Sequence, residues 1–355
     1  MQKSEASTWK IPWKGIIIAF ICSAVALVLV FSKVAKPADV LRELESYPLG
    51  YFFGALFFVL AAWIVDGQRI GMLTRAVDHP VPWWQLTVVL GAANFLTLVT
   101  PFAGGGGALI IYFLYRRGVS VPTATAVVTA GGIAGQIGLA VLALVMFSTV
   151  SNVPVGLARY LTIIRFGAVG YIVVLIGLLF VIVQNERWLL WLSKKRGTES
   201  KGAAWLEEFR ATYRLILEQR VGYYLACLVV ALAYYIVYYL GGFVLLTGFG
   251  AYEPWFRFAV SVLFGIAPVF SPIPGGAGAS ELIAFLVLEN VLPGDSLGTF
   301  ILLWRTVVFY LPIVIGGSVF TFLLFRWAAT PNLAKKPMEN PTSTVILPEE
   351  NDHNR

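Results

Sequence analysis

A glycine-rich phrase occurs twice in this chain, each time at the end of an apolar segment, where an uninterrupted helix would not tolerate it. Thr100-Pro101-Phe102-Ala103-Gly104-Gly105-Gly106-Gly107-Ala108 returns 171 residues later as Ser271-Pro272-Ile273-Pro274-Gly275-Gly276-Ala277-Gly278-Ala279, with five identities in nine positions. Proline removes a backbone donor and clashes with the preceding turn, and consecutive glycines favour broken or tightly turning backbone. Both phrases are therefore predicted to interrupt helices. Interruptions at corresponding places in two halves of a membrane protein point to a transport site.

That the chain belongs in a membrane follows from composition: 58% of its 355 residues are apolar, 13% are charged, and the mean hydropathy is +0.79. These values lie outside the soluble range. Its apolar runs reach the roughly 18 residues that span a hydrocarbon core of about 30 Å. Eight long segments lie near 15–32, 48–65, 82–99, 121–150, 160–184, 221–247, 255–270 and 297–325, and two shorter ones near 101–115 and 279–290 follow the glycine phrases. The first segment follows Lys3, Lys10 and Lys14 as a signal peptide would, but Lys33 and Lys36 replace a small-residue cleavage pattern. It is expected to be a retained helix. Cys22 and Cys227 fall in apolar segments, while His79 and His353 fall in a loop and in the tail. This pattern argues against a disulfide framework, a zinc site and a Cys/His nucleophile.

The net charge of +7 collects in loops beside membrane segments, which favours contact with anionic lipid head groups over nucleic acid. Loop 185–220 carries Arg187, Lys194, Lys195, Arg196, Lys201, Arg210, Arg214 and Arg220 against five glutamates, and is predicted to be cytoplasmic. Trp188, Leu189, Trp191 and Leu192, then Trp205, Leu206, Phe209, Tyr213, Leu215 and Ile216, recur with helical spacing. They predict helices lying on the membrane surface as an anchor, with a partner protein as the alternative use. If 82–99 and 101–115 form a hairpin that returns to its own side, this loop falls inside together with Arg116, Arg117, Arg326, Lys335 and Lys336. If every long segment crosses, its cations fall outside. The hairpin is therefore predicted.

Shifting 48–65, 82–99 and 121–150 by 171 residues lands close to 221–247, 255–270 and 297–325. The blocks then read as inverted-topology repeats whose hairpins enter from opposite faces and meet near the midplane. The predicted architecture is an all-α polytopic membrane protein of about eight long helices plus two short re-entrant or broken-helix hairpins. Its parts are a cytoplasmic tail (1–14), one membrane domain (15–327) and a polar cytoplasmic tail (328–355). Repeat 1 covers 48–150, the interfacial loop 185–220, and repeat 2 covers 221–325.

A broken helix exposes backbone N–H groups at the start of its next half, and these donors with the helix dipole suit a phosphate. Pro101, Gly104, Gly105, Gly106 and Gly107 in one phrase, and Pro272, Pro274, Gly275, Gly276 and Gly278 in the other, are the candidate substrate-binding backbone. Neighbouring serine or threonine hydroxyls are the competing partners for the same donors. Glu281 sits in the first turn after Gly278, before an apolar run, where a carboxylate needs a partner or a function. It is read either as a proton-coupling or cation-binding group or as a cap on its own hairpin. Arg305 is too deep to snorkel, and either pairs with Glu281 as a strut or holds a phosphate. Arg165 and Arg257 lie nearer segment ends and read as interfacial. Asn94 and Gln136 read as helix-to-helix hydrogen-bonding groups. Tyr310-Leu311-Pro312 predicts a kink beside the site. No nucleotide-binding loop, metal-ligand cluster or nucleophile elbow is present, so neither an enzyme nor a cofactor is expected.

At these residues the chain resembles the membrane region of lysylphosphatidylglycerol synthase/flippases and its stand-alone relatives, from about residue 14 to 327. The resemblance is carried by Thr100-Pro101-Phe102 through Gly107 with Tyr112 and Arg116-Arg117-Gly118-Val119-Ser120. It continues in Pro272 through Gly278 with Glu281, and in Arg305 with Tyr310, Pro312 and Gly316. It implies a lipid-translocation module in the cell membrane without the C-terminal synthase domain. The implied partners are membrane lipids, either an anionic phospholipid or a polyprenyl-phosphate lipid. The rival readings are a transporter of a small soluble anion and a non-transporting scaffold for a partner enzyme.

Overall fold

The computed structural model describes residues 21, 37–100, 104–149, 155–184, 201–250, 253–266, 273–276, 278–289 and 292–329, and among these there is no strand. The helices are α1 (Pro37–Ser46), α2 (Leu49–Ala76), α3 (Trp83–Val99), α4 (Gly104–Arg116), α5 (Val121–Thr149) and α6 (Val155–Gln184). They continue with α7 (Lys201–Arg214), α8 (Val221–Thr247), α9 (Pro254–Ile266), α10 (Ala279–Leu288), α11 (Gly294–Arg305) and α12 (Leu311–Ala329). Five stretches are long and apolar enough to cross a membrane: Leu49–Ala76, Val121–Thr149, Leu161–Gln184, Val221–Thr247 and Ser296–Ala329. The predicted segment 15–32 and loop residues 185–200 lie outside the described residues.

Hydrogen bonds between helix ends sort these ends onto two faces. On one, the Arg116 Nη1 group donates to Trp327 O at 2.8 Å, Arg117 donates to Gln85, and Arg220 Nη2 donates to Asp78 Oδ2 at 3.2 Å. Glu208 on α7 accepts from Ser120 and Thr123, and Arg210 donates to the carbonyls of Ile182 and Val183 at the end of α6. On the opposite face, Tyr47 donates to Leu245 O at 2.8 Å, Ser296 to Glu43 at 2.9 Å and Trp255 to Thr149 at 3.0 Å. Arg75, Arg116, Arg117, Arg210, Arg214, Arg220 and Arg326 all belong to the first set of ends, hereafter the arginine face.

This sorting fixes the topology. Helix α2 ends on the arginine face and α8 starts there, so the two are antiparallel. The start of α3 and the end of α4 share that face through Gln85 and Arg117. They form a helical hairpin of 17 and 13 residues. At 1.5 Å per residue these arms measure about 25 and 20 Å, short of a 30 Å core. In the second block, α9 starts on the opposite face, α10 packs against it, and α11 starts on the opposite face again. Of the eight long apolar segments, 82–99 thus folds as the first arm of a hairpin, the described part of 255–270 folds as α9, and the helices of the two blocks run in opposite directions.

Close packing holds the blocks together. The largest helix contact is α2 on α8, where a Cβ on Gly241 would stand 3.1 Å from Ala55 O and one on Gly54 3.2 Å from Val244. Small residues let helix backbones approach where lipid supplies no hydrophobic drive. Helix α12 seats on α3 in the same way, the missing Cβ of Gly316 lying 2.6 Å from Gly91 O and 3.0 Å from Phe95 Cβ. Gly316→Leu is expected to push α12 off α3 at a cost of about 1–3 kcal/mol, read as a lowered unfolding midpoint in detergent. An unchanged midpoint would show that this contact is not tight. Helix α6 turns Phe166, Val173, Val174 and Phe180 outward, each more than 60% exposed, as suits a lipid-facing surface.

Within 185–220 the described residues form a helix, α7, which packs on α5 and α6. The Tyr213 hydroxyl donates to Thr129 at 2.8 Å, and burial pushes this phenol up to about 12, so it remains a neutral donor.

Candidate functional site

The first glycine phrase resolves into residues with different work. Thr100 Oγ1 donates to Leu96 O at 2.6 Å and accepts the Gly105 N–H at 3.0 Å. One donor exposed by the broken helix is thus met by a threonine, the competing use weighed from sequence. A Cβ on Gly106 would strike Thr97 and lie 2.8 Å from Ala93 O, and one on Gly105 would lie 2.9 Å from Thr100. These two glycines let the hairpin arms touch. A Cβ on Gly104 would have open space around it, and one on Gly107 would meet only Val128, at 3.6 Å. Pro101 and Pro272 lie outside the described residues.

The second phrase makes a tight turn, Pro274–Gly276, that packs against α3 of the first hairpin. Gly275, Gly276 and Gly278 have φ of 63°, 64° and 85°, a left-handed conformation that costs other L-residues roughly 1–2 kcal/mol each. The turn is held from α11. Arg305 Nε donates to Glu281 Oε1 at 2.5 Å, and its Nη2 donates to Glu281 Oε2. Nη1 donates to Gly275 O at 2.9 Å and Nη2 to Gly276 O at 3.2 Å. Glu281 Oε2 also accepts the Gly278 N–H at 2.9 Å, capping α10 as its first-turn position favours. Glu281 and Arg305 side chains are 1% and 2% exposed. Of the two readings open for each residue, the structure displays the internal one: Arg305 is a strut, and Glu281 is its partner and a cap.

Directly after Arg305 the helix widens into a π turn, Thr306–Tyr310, before α12. Pro312 cannot donate to Val308 O, and the Leu311 N–H reaches back five residues to Thr306 O instead. The predicted kink region is thus a π turn. Val308 and Tyr310 there pack against both apolar clusters of the described residues, so Tyr310 stands where the clusters meet.

A second ion pair was not anticipated. Arg69 Nε donates to Asp66 Oδ1 at 2.5 Å, Arg69 Nη1 donates to Gly131 O, and the two side chains are 12% and 15% exposed. Asp66 lies about 15 Å along α2 from its arginine-face end and Arg305 about 16 Å from the start of α11, so both pairs are near mid-depth. Offset by 171 residues, Arg305 corresponds to Ala134, flanked by the Gly131 and Gly135 against which Arg69 packs. Repeat 1 thus supplies a guanidinium to the equivalent place from α2 rather than α5. Between the pairs runs a row of tyrosines on α8. Tyr234 and Tyr235 have ring centroids 4.8 Å apart, Tyr234 and Tyr238 6.0 Å, and Tyr238 reaches Trp304, beside Arg305, at 6.5 Å. At its other end the row reaches Arg69: a Cβ on Gly135 would lie 3.5 Å from Arg69 Nη1 and 3.9 Å from the Tyr235 hydroxyl.

Gln136 accepts from Tyr171 at 3.3 Å, a helix-to-helix bond as expected. Arg165 donates to Phe147 O at 2.7 Å, and Arg257 lies 4.9 Å over the Phe243 ring in the first turn of α9. Asn94 is half-buried on α3. No group of three or more metal-ligating side chains occurs among the described residues.

Fold and site together define a polytopic α-helical membrane protein of two inverted blocks, each bearing a helical hairpin, with two ion pairs near mid-depth. Within that class, the chain belongs to the family of the lysylphosphatidylglycerol synthase TM region, which it matches over residues 16–316. It is also similar to a UPF0104 membrane protein of Archaeoglobus fulgidus, with 21% identity over 287 residues, 77% of this chain and 86% of that one.

Proposed function

We propose that this protein moves a phosphate-bearing lipid, an anionic phospholipid or a polyprenyl-phosphate lipid, between the leaflets of the cell membrane. The observation that carries the reading is the opposed hairpin pair: two interrupted helices entering from opposite faces, with the turn of the second packed on the first arm of the other. Inverted blocks of this kind alternate by rocking one against the other around a shared mid-depth site. Gly104 and Gly107, whose missing side chains leave room, are where a head group approaches backbone, while Arg305 and Glu281 hold the second turn in position. The protein acts as a transporter and not as an enzyme. By the positive-inside rule the seven arginines of the arginine face support a cytoplasmic orientation for that face and α7, and with it the reading of both termini as cytoplasmic.

The test is translocation in vesicles. Purified protein is reconstituted with tail-labelled phosphatidylglycerol, and the label remaining protected from an impermeant quencher is followed over time. Protection is expected to fall faster than in protein-free vesicles, and faster for phosphatidylglycerol than for phosphatidylcholine. Equal rates with and without protein, for both this lipid and a polyprenyl phosphate, would overturn the proposal.

A further inference from the structure

The geometry points to a binding site for the head-group phosphate of a net-anionic glycerophospholipid, in a cleft where α3, α4 and α12 meet on the arginine face. The cleft has a volume of about 300 Å³ and is lined by Arg116, Arg117 and Arg326 together with Trp84, Phe322 and Trp327. Three arginines line it, and no carboxylate is among the lining residues. The position is set by packing: Arg116 donates to Trp327 O at 2.8 Å and lies 5.8 Å from the Trp327 ring, while Arg117 lies 5.4 Å over Phe113 and donates to Gln85. Arginine presents five N–H donors in a fork matched to phosphate oxygens, and Arg117 commits one of them to Gln85.

The layering of the cleft selects a lipid over a free anion. Arg326 lies in the last turn of α12, and Phe322, one turn deeper, is 59% exposed; Trp84 lies in the first turn of α3, and Val88, one turn deeper in the same lining, is also exposed. Cations thus sit at the helix ends with bare apolar surface directly beneath them. A glycerophospholipid matches both layers, its phosphate against the arginines and its acyl chains along Val88 and Phe322, with indoles at the boundary. The cleft is separate from the glycine turns, since Arg116 lies about 14 Å along α4 from Gly107. Its role as the place where lipid is loaded rests on the proposed function; its binding of phosphate does not.

The experiment titrates the full chain in detergent with phosphatidylglycerol and, separately, phosphatidylcholine, counting retained lipids by native mass spectrometry. Wild type is expected to prefer phosphatidylglycerol, Arg117→Gln/Arg326→Gln to lower that preference about tenfold, and Arg117→Lys/Arg326→Lys to keep most of it. Phe322→Glu leaves the arginines in place but adds a carboxylate to the cleft, and is expected to abolish the preference in a protein that melts as wild type does. Equal preference in wild type, the glutamine pair and Phe322→Glu would overturn the site. Full displacement of the lipid by inorganic phosphate at equal concentration would overturn the lipid assignment in favour of a free anion. If vesicle translocation is absent while the preference survives, the transport reading falls and the site stands.

Discussion

Replacing Arg305 by methionine is expected to destabilise the protein by about 3–5 kcal/mol, among the largest losses any single substitution would cause. The change strands the Glu281 carboxylate at 1% exposure and removes the partner of the Gly275 and Gly276 carbonyls in one step. Those carbonyls are aimed at α11 by left-handed glycines, so no small movement of the turn finds them another donor. Arg305→Lys is expected to be nearly as costly, because a single ammonium cannot bridge two carboxylate oxygens and two carbonyls at once. Glu281→Leu/Arg305→Met removes both charges and should cost less than the two single changes added together. It should not return to wild type, since the two carbonyls stay unmet. Denaturant unfolding of the purified protein reads all four variants. An unfolding midpoint for Arg305→Met equal to that of wild type would show that the pair holds nothing.

The glycine phrases were legible because their chemistry is local. Proline and consecutive glycine break a helix wherever they stand, and the 171-residue offset between two such breaks carries the inverted arrangement with it. Segment ends were also close: 221–247 and 82–99 agree with α8 and α3 to within a residue. What the sequence could not supply was the partner of each charge. Arg305 and Glu281 are 24 residues apart on different helices, and either a phosphate or a carboxylate satisfies a guanidinium equally well until the fold brings one of them near. Segment 48–65 shows the opposite failure, because hydropathy ends the helix at Asp66 while α2 runs on to Ala76. A signal was available: Asp66 and Arg69 stand at i and i+3, one helical turn apart, with Ile70, Met72 and Leu73 resuming the apolar run beyond them. Charges that neutralise each other across one turn do not end a membrane helix.

That overlooked pair yields the second large effect. Arg69→Met is expected to cost about 3 kcal/mol, near the lower bound for a broken buried pair because Asp66 keeps 15% exposure. More informative is its relation to the other pair. If the pairs were independent anchors of separate repeats, the milder changes Asp66→Asn and Glu281→Gln would add within about 0.3–0.5 kcal/mol. The tyrosine row on α8 argues against independence, since a Cβ on Gly135 would lie within 4 Å of both Arg69 and Tyr235, Tyr238 abuts Trp304 next to Arg305, and each tyrosine of the row stacks on or abuts the next. Neutralising one pair changes the field in which this row settles, and hence the surroundings of the second. The double variant is therefore expected to depart from the sum of the singles by more than about 0.5 kcal/mol. Substituting Tyr235→Phe and Tyr238→Phe in that background should bring the sum back to additivity. Additive losses with the tyrosines intact would mean that the two mid-depth pairs stabilise their own repeats separately. Any rocking of one block against the other would then have to be transmitted by helix packing between the blocks, α2 on α8, α3 on α12 and α5 on α8.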